Sequence, residues 1–179
     1  MTEQQILKAW KHDSRGAMRA LYDCYADCAW TVARRYLADD GDAEDVIQDS
    51  FLKVYDHIGR FSYRGEGSLR SWLMSIVAHE AIDLLKHRQR LVFAEQPIET
   101  GETADPQPAN VPIEALLAMI RRLPAGYRAV FNLYVFEQQS HREIANALGI
   151  KESSSASQFH RARKMLAQMI NDYTKTKER

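Results

Sequence analysis

Apolar residues in the first 90 positions recur at intervals of three and four, the spacing of amphipathic helices. Thr2-Glu3-Gln4-Gln5 has capping-box spacing and opens a short helix. A second helix is predicted from Asp13 or Ser14 to about Leu37, with Ala17, Leu21, Tyr25, Cys28 and Val32 along one face. A third starts at Gly41-Asp42. Its apolar face is Ile47, Phe51, Val54 and Ile58, while Asp42, Asp45, Asp49 and Asp56 are expected to look outward. Gly59 is placed to end it in a left-handed conformation. Residues 60–67 read as a loop, and Ser68 as the cap of a fourth helix. That helix is expected to bury Leu69, Trp72, Leu73, Ile76, Ala81, Leu84 and Leu85 and to end in the basic run Lys86 to Arg90.

The helical pattern then breaks. The stretch from Glu95 to Pro112 holds four of the five prolines and Gly101, so it can neither propagate a helix nor bury a core, and it reads as a linker. Beyond it, residues 113–122 make one helix, and Pro124 opens another carrying Tyr127, Val130, Phe131 and Tyr134. Ser140 and Glu143 form a second capping box, on a helix that buries Ile144, Ala145 and Leu148 and stops at Gly149. After a turn from Ile150 to Ser153, a long helix capped by Ser153 or Ser154 turns Phe159, Ala162, Leu166 and Met169 inward. Two helices joined through a glycine turn, the second longer and more basic, form a helix-turn-helix pattern. Nothing alternates with period two for long enough to make a sheet. The fold class is therefore all-α: two small helical domains, 1–92 and 113–179, joined by a flexible acidic, proline-rich linker over 93–112.

Charge changes this picture more than composition does. The chain has 24 Lys+Arg and 24 Asp+Glu, a balance that argues against a nucleic-acid partner until it is resolved by segment. Residues 1–90 hold 14 acids and 13 bases, residues 91–112 four acids and no base, and residues 113–179 six acids and 11 bases. Asp39, Asp40, Asp42, Glu44, Asp45 and Asp49 form an acidic block, whereas residues 60–90 carry six bases against three acids. Such alternation suits a protein that meets a basic protein and an anionic polymer together. No apolar run approaches the ~20 residues of a membrane helix, and the first residues lack the pattern of a signal peptide. Two cysteines cannot staple a fold of this size, which points to a reducing cytoplasm. Cys24 and Cys28 read as two small buried residues rather than a redox or zinc pair. Gly65-Glu66-Gly67 is no phosphate loop, and no nucleophile–base or metal-ligand spacing stands out, so neither an enzyme nor a cofactor nor a metal is expected.

Several segments together carry a resemblance. Ala43 to Tyr55, Gly67 to Leu73, Leu123-Pro124 with Tyr127 to Phe131, and Glu143-Ile-Ala with Leu148-Gly149 and His160 to Lys164 resemble bacterial sigma factors. They are most similar to the small extracytoplasmic-function (ECF) group, which keeps the second and fourth sigma regions. The match spans about residues 14–90 and 113–170, in order and in register.

The resemblance implies a specificity subunit of RNA polymerase, cytoplasmic and without membrane insertion, that binds the clamp helices and flap of the core enzyme and recognises promoter DNA. It also implies an anti-sigma protein as a further partner. Asp42, Asp45, Gln48, Asp49 and Lys53 become candidates for polymerase binding. Phe61, Ser62, Tyr63, Arg64, Arg70, His79, Lys86, Arg88 and Arg90 become candidates for the minus-ten element, duplex and melted. Aromatic and arginine side chains suit that task, because unpaired bases stack on rings at ~1–3 kcal/mol each. For Phe61, core packing is an equal alternative, and Trp72 reads as core. His79 stands where the family usually has asparagine.

Candidates for the minus-thirty-five element are Arg142, Ser154, Ser155, Ser157, Gln158, Arg161, Arg163 and Lys164, with Ser155, Ser157 and Gln158 expected to face outward and read bases. Residues 153–158 replace the more usual Gly-Thr-Val-Lys-Ser-Arg with Ser-Ser-Ser-Ala-Ser-Gln, so this face should bind DNA weakly. The acidic linker would thread toward the active-centre cleft. A free-standing helix-turn-helix regulator is the alternative; it leaves the acidic third helix and the 60–68 loop without work.

Overall fold

A computed structural model describes residues 1–88 and 111–177. Arg90 and the linker positions 93–110, with Glu95, Glu99, Glu102 and Asp105, lie outside the described residues. The described chain is all-α and contains no strand: α1 (Glu3–Trp10), α2 (Ser14–Tyr36), α3 (Asp40–His57), α4 (Ser68–His87), α5 (Ile113–Arg122), α6 (Ala125–Val135), α7 (His141–Leu148) and α8 (Glu152–Lys177). It divides into two compact units, Met1–Leu84 and Leu85–Arg179. No helix among the described residues is long and apolar enough to cross a membrane.

In the first unit, the Thr2 capping box closes on Gln5, and Asp13 caps α2 by accepting from the Gly16 amide at 2.9 Å. α1 and α3 both pack on α2. Ala17, Leu21, Ala29, Val32, Ala33 and Tyr36 of α2 are buried, as are Val46, Ile47, Phe51 and Val54 of α3. Tyr25 and Cys28 are only half-buried and Cys24 is exposed, so the cysteines are not the two buried residues expected; neither is in a disulfide. α3 begins at Asp40 under an Asp39 cap, two residues before Asp42. Asp42 is consequently not an outward residue. It is 6% exposed, because it stands four positions before Val46 and eight before Ser50 on the inward stripe. Gly59 does not take a left-handed conformation; α3 ends instead by tightening into a 3-10 turn, Ile58–Arg60.

α4 buries a face that differs from the expected one. Leu69, Leu73, Met74, Val77, Ala78, Ala81, Ile82 and Leu85 are buried, whereas Trp72, Ile76 and Leu84 are partly exposed. Trp72 is thus not a core residue; it lies against Phe61, with ring centroids 4.9 Å apart.

In the second unit, α8 is the element on which α5, α6 and α7 pack. Met119, Ile120 and Leu123 meet Ala162, Leu166 and Ile170 in one apolar cluster. Val111 joins that cluster, so the last two residues expected in the linker behave differently: Val111 packs into the core and Pro112 caps α5. Arg128 is 5% exposed, and its Nη1 donates to the carbonyl of Arg121 in the last turn of α5. Burial, and then the nearby charge of Arg121, lowers its pKa to about 10. α7 has the predicted capping box: the Glu143 amide donates to Ser140 Oγ, and Glu143 Oε2 accepts from Ser140 Oγ (2.7 Å) and Ser140 N (2.8 Å). Gly149 ends the helix at φ 69°, ψ 35°. α8 then begins at Glu152, before both serines proposed as its cap.

Two predictions follow from these ends. Gly149→Ala forces a Cβ into the left-handed region and should lower stability by about 1–2 kcal/mol. Gly59→Ala places its Cβ in open space without a positive φ and should raise stability by about 0.4–1 kcal/mol. Urea-unfolding midpoints should therefore move in opposite directions. Secondly, the hydroxyl and then the amide of Ser140 hold the Glu143 carboxyl below the ordinary glutamate range. A lowered pKa means that this contribution is present above the ordinary value and is lost as pH falls through the folded one. Ser140→Ala should move the Glu143 titration upward in an NMR pH series, and an unmoved titration would refute the assignment.

Candidate nucleic-acid interface

The segment between the 3-10 turn and α4 is held by a carboxylate from α1, more than 60 positions earlier in the chain. Gly65 and Gly67 have φ of 121° and 90°, values that side-chain-bearing residues rarely adopt. They turn the chain so that the amide of Gly67 and the first amides of α4 converge. Glu3, 1% exposed at the start of α1, fills that point. Its Oε2 accepts from Gly67 N (3.0 Å) and Leu69 N (3.1 Å), and its Oε1 accepts from Arg70 N (2.8 Å) and Tyr25 Oη (3.1 Å). Burial, and then the charge and hydrogen bond of Glu3, push the Tyr25 hydroxyl up to about 12. Ser68 has a different task from the cap expected of it: its Oγ donates to Gly65 O (2.6 Å) and accepts from Arg64 N (3.2 Å), closing the loop on itself.

This scaffold brings several of the minus-ten candidates together. Ser62, Arg64 and Arg70 are exposed, and Phe61 and Tyr63 are half-buried. Phe61 lies on Trp72, and Tyr63 Oη donates to Glu66 Oε2 at 3.2 Å. Partial burial and then this bond raise the Tyr63 pKa. Arg70 is held at both ends, its amide by Glu3 and its Nη2 at 3.8 Å from Cys28 Sγ. Further along α4, His79 is exposed and its Nδ1 donates to Ser75 O (2.6 Å), which leaves Nε2 pointing away from the helix backbone. Lys86 and Arg88 are exposed at the end of the helix and beyond it.

α3 presents the polymerase candidates Asp45, Gln48, Asp49 and Lys53 on its exposed side; Asp42 does not share it. Lys53 forms an ion pair with Glu80 of α4, whose side chain is 15% exposed. Leu52 and Tyr55 are the large apolar residues exposed on the same helix.

In the helix-turn-helix, Arg142, Arg163 and Lys164 are exposed, and Ser154, Ser157 and Arg161 partly so. Two candidates are misplaced by the sequence reading. Ser155 and Gln158 are fully buried and do not face outward. They fall on the stripe 155–158–162–166 that packs α8, so helical phase overrides their polarity. Ser155 Oγ lies 3.0 Å from His141 Nδ1, whose ring stacks on Tyr134 at 4.7 Å, while Tyr134 meets Phe159 at 4.3 Å. Ser157 Oγ donates to Ser153 O of its own helix (2.8 Å), and the Arg163 guanidinium lies 6.0 Å from the Phe159 ring centroid. Among the described residues, no group of three or more His, Cys, Asp or Glu side chains is arranged to hold a metal.

Glu3 is the residue that sequence reasoning missed. The capping box around it was visible, but its role depends on amides more than 60 positions away.

Comparison with known proteins bears on both units. Sigma-70 region 2 matches residues 21–91 and sigma-70 region 4 matches residues 113–166, so α1 and the start of α2 precede the matched segments. The chain is 30% identical over 149 residues to the ECF RNA polymerase sigma factor SigL of Mycobacterium tuberculosis, covering 81% of this chain and 84% of that protein. To SigW of Bacillus subtilis, another ECF sigma factor, it is 26% identical over 186 residues, covering 96% and 98%. Its fold is similar to that of the sigma factor RpoE from Bartonella quintana, solved with the anti-sigma factor NepR. There the TM-score is 0.52 at 18% identity, over 86% of this chain and 96% of that one. It is similar also to CnrH, solved with the cytosolic domain of CnrY, with a TM-score of 0.50 at 22% identity over 93% and 95%. Two sigma regions in order, on an all-α fold and with a 30% identical relative matched over most of its length, place this chain in the extracytoplasmic-function group of RNA polymerase sigma factors, which direct promoter-specific transcription.

Proposed function

We propose a division of labour within this sigma factor. The exposed face of α3, with Asp45, Gln48, Asp49 and Lys53, engages the clamp helices of core RNA polymerase. The loop 61–67 and the exposed side of α4 recognise the minus-ten element and take up its melted strand, through Phe61, Ser62, Tyr63, Arg64, Arg70, His79, Lys86 and Arg88. Arg90 would extend the same run. The helix-turn-helix meets the minus-thirty-five element through Arg142, Ser154, Ser157, Arg161, Arg163 and Lys164, and its unit also contacts the flap. The protein works in the cytoplasm, supplies recognition while the polymerase supplies the chemistry, and is held by an anti-sigma protein, a reading supported by the complexes in which RpoE and CnrH were solved.

One observation carries the reading: the exposed carboxylates of α3 and the exposed arginines of the loop and α4 belong to one unit yet occupy different elements. Acidic side chains beside DNA would repel it, whereas beside a basic helical partner they give steering and register. Arginine and tyrosine at a loop suit the opposite task, because they hold backbone phosphate and stack on unpaired bases.

The direct test is run-off transcription with core polymerase and fragmented genomic DNA, with and without the protein. New starts sharing two upstream elements at fixed spacing are expected. No new starts and no binding to core would favour a free-standing operator-binding regulator. Two variants separate the surfaces. Asp45→Lys with Asp49→Lys should weaken core binding at least tenfold, measured by fluorescence anisotropy, and leave the helical circular dichroism unchanged. Tyr63→Ala should keep core affinity and reduce open-complex formation by roughly 5- to 150-fold, the loss of one base stack. Full open-complex formation by that variant would remove Tyr63 from the interface.

A further inference from the structure

We infer that Glu3 is a positioning residue for base discrimination at the minus-ten element, acting through the loop 61–67 and the start of α4. The inference rests on the minus-ten reading proposed above for that loop. It begins from coordination: an ionised carboxylate offers about four acceptor sites, and Glu3 fills them with three backbone amides and one phenol. Two of those amides, Leu69 and Arg70, belong to the first turn of α4, where the helix dipole favours an anion. The third, Gly67, belongs to the loop. Glu3 therefore ties the loop's last residue and the helix's first turn to one buried point.

The residues attached to that point are those proposed to touch DNA. Arg70 receives its backbone position directly from Glu3 Oε1. Tyr63 and Arg64 lie within the same short loop, linked to its closing residues by Tyr63 Oη to Glu66 and by Arg64 N to Ser68 Oγ. With the carboxylate removed, three amides lose their acceptor at once, and the glycines allow the loop many alternative conformations. A reading surface that varies in position still binds phosphate, since charge attraction tolerates displacement. It loses base preference, since hydrogen bonds and stacking do not. Glu3 should thus govern selectivity more than affinity. Because α1 precedes the sigma-70 region 2 segment, this contact also gives the N-terminal helix a task in promoter choice.

The experiment uses the full chain with core polymerase on a promoter library randomised across the minus-ten element, with start frequencies counted for each base. Glu3→Gln keeps the shape but replaces one acceptor oxygen with a donor that faces amide hydrogens. The expected result is core affinity within twofold of wild type and a preference ratio at the most selective minus-ten position reduced at least fivefold. Glu3→Asp, which retains the charge, should recover part of the preference. A uniform drop in all starts with unchanged ratios would show that Glu3 serves stability alone and would overturn the inference. If Glu3→Gln does not fold, Tyr25→Phe removes one of the four bonds and leaves the carboxylate in place. A smaller shift in the same direction is then expected, and unchanged ratios would again overturn it. Wild-type protein that yields no polymerase-dependent starts would instead defeat the sigma-factor reading on which the inference rests.

Discussion

The N-terminal unit is organised around a buried negative charge. A carboxylate taken out of water is strongly unfavourable unless its partners are complete. Glu3 meets that condition with four donors, three of them amides that no residue within α4 could satisfy. The arrangement explains the small sequence features around it. Gly65 and Gly67 are glycines because the converging amides need positive φ, and Ser68 is free to close the loop because the capping is done from elsewhere. Tyr25 turns its hydroxyl inward from the middle of α2, so α1, α2 and α4 meet at one carboxylate.

The C-terminal unit solves the complementary problem at the other end of a helix. The last carbonyls of α5 lack intrahelical partners, and the cation suited to that site comes from Arg128 on α6. Its depressed pKa records the strain of burying a guanidinium beside Arg121, but at about 10 the group stays charged at neutral pH. In both units a side chain on a neighbouring helix caps a terminus: an anion at the start of α4, a cation at the end of α5. Helix packing and helix capping are therefore the same contact, which makes the relative placement of those helices specific as well as stable.

Helix positions were legible where an end is marked by a proline or a capping box. α5 matches its predicted span because Pro112 precedes it and Leu123-Pro124 follow, and both capping boxes close on the residues read for them. The family was legible because its motifs lie on these well-marked helices. Three of the differences share a cause. Polarity alone puts Asp42, Ser155 and Gln158 outward, yet each stands one turn before a buried residue, and phase decides. Trp72 differs in the opposite sense: an aromatic at helical spacing suggests core, but its partner is a loop residue, Phe61. Glu3 was not recoverable from local pattern at all: its donors are brought to it by the tertiary fold, and no periodicity encodes a contact between positions 3 and 67.

In the proposed reading, these placements bear on how the two surfaces assigned to DNA share discrimination. With Ser155 and Gln158 inside, the start of α8 exposes Glu152 and short serines, one of which already bonds its own helix, and its arginines and lysine lie further along. Such cations hold phosphates and set register without reading sequence. The loop before α4 is the reverse case: it carries aromatic and arginine side chains on a backbone whose last residue and following turn are fixed by a buried carboxylate. Selectivity needs side chains held to within fractions of an ångström, whereas phosphate attraction does not. In the proposed reading the helix-turn-helix therefore contributes mainly position, and base choice is concentrated in the unit where Glu3 holds the loop.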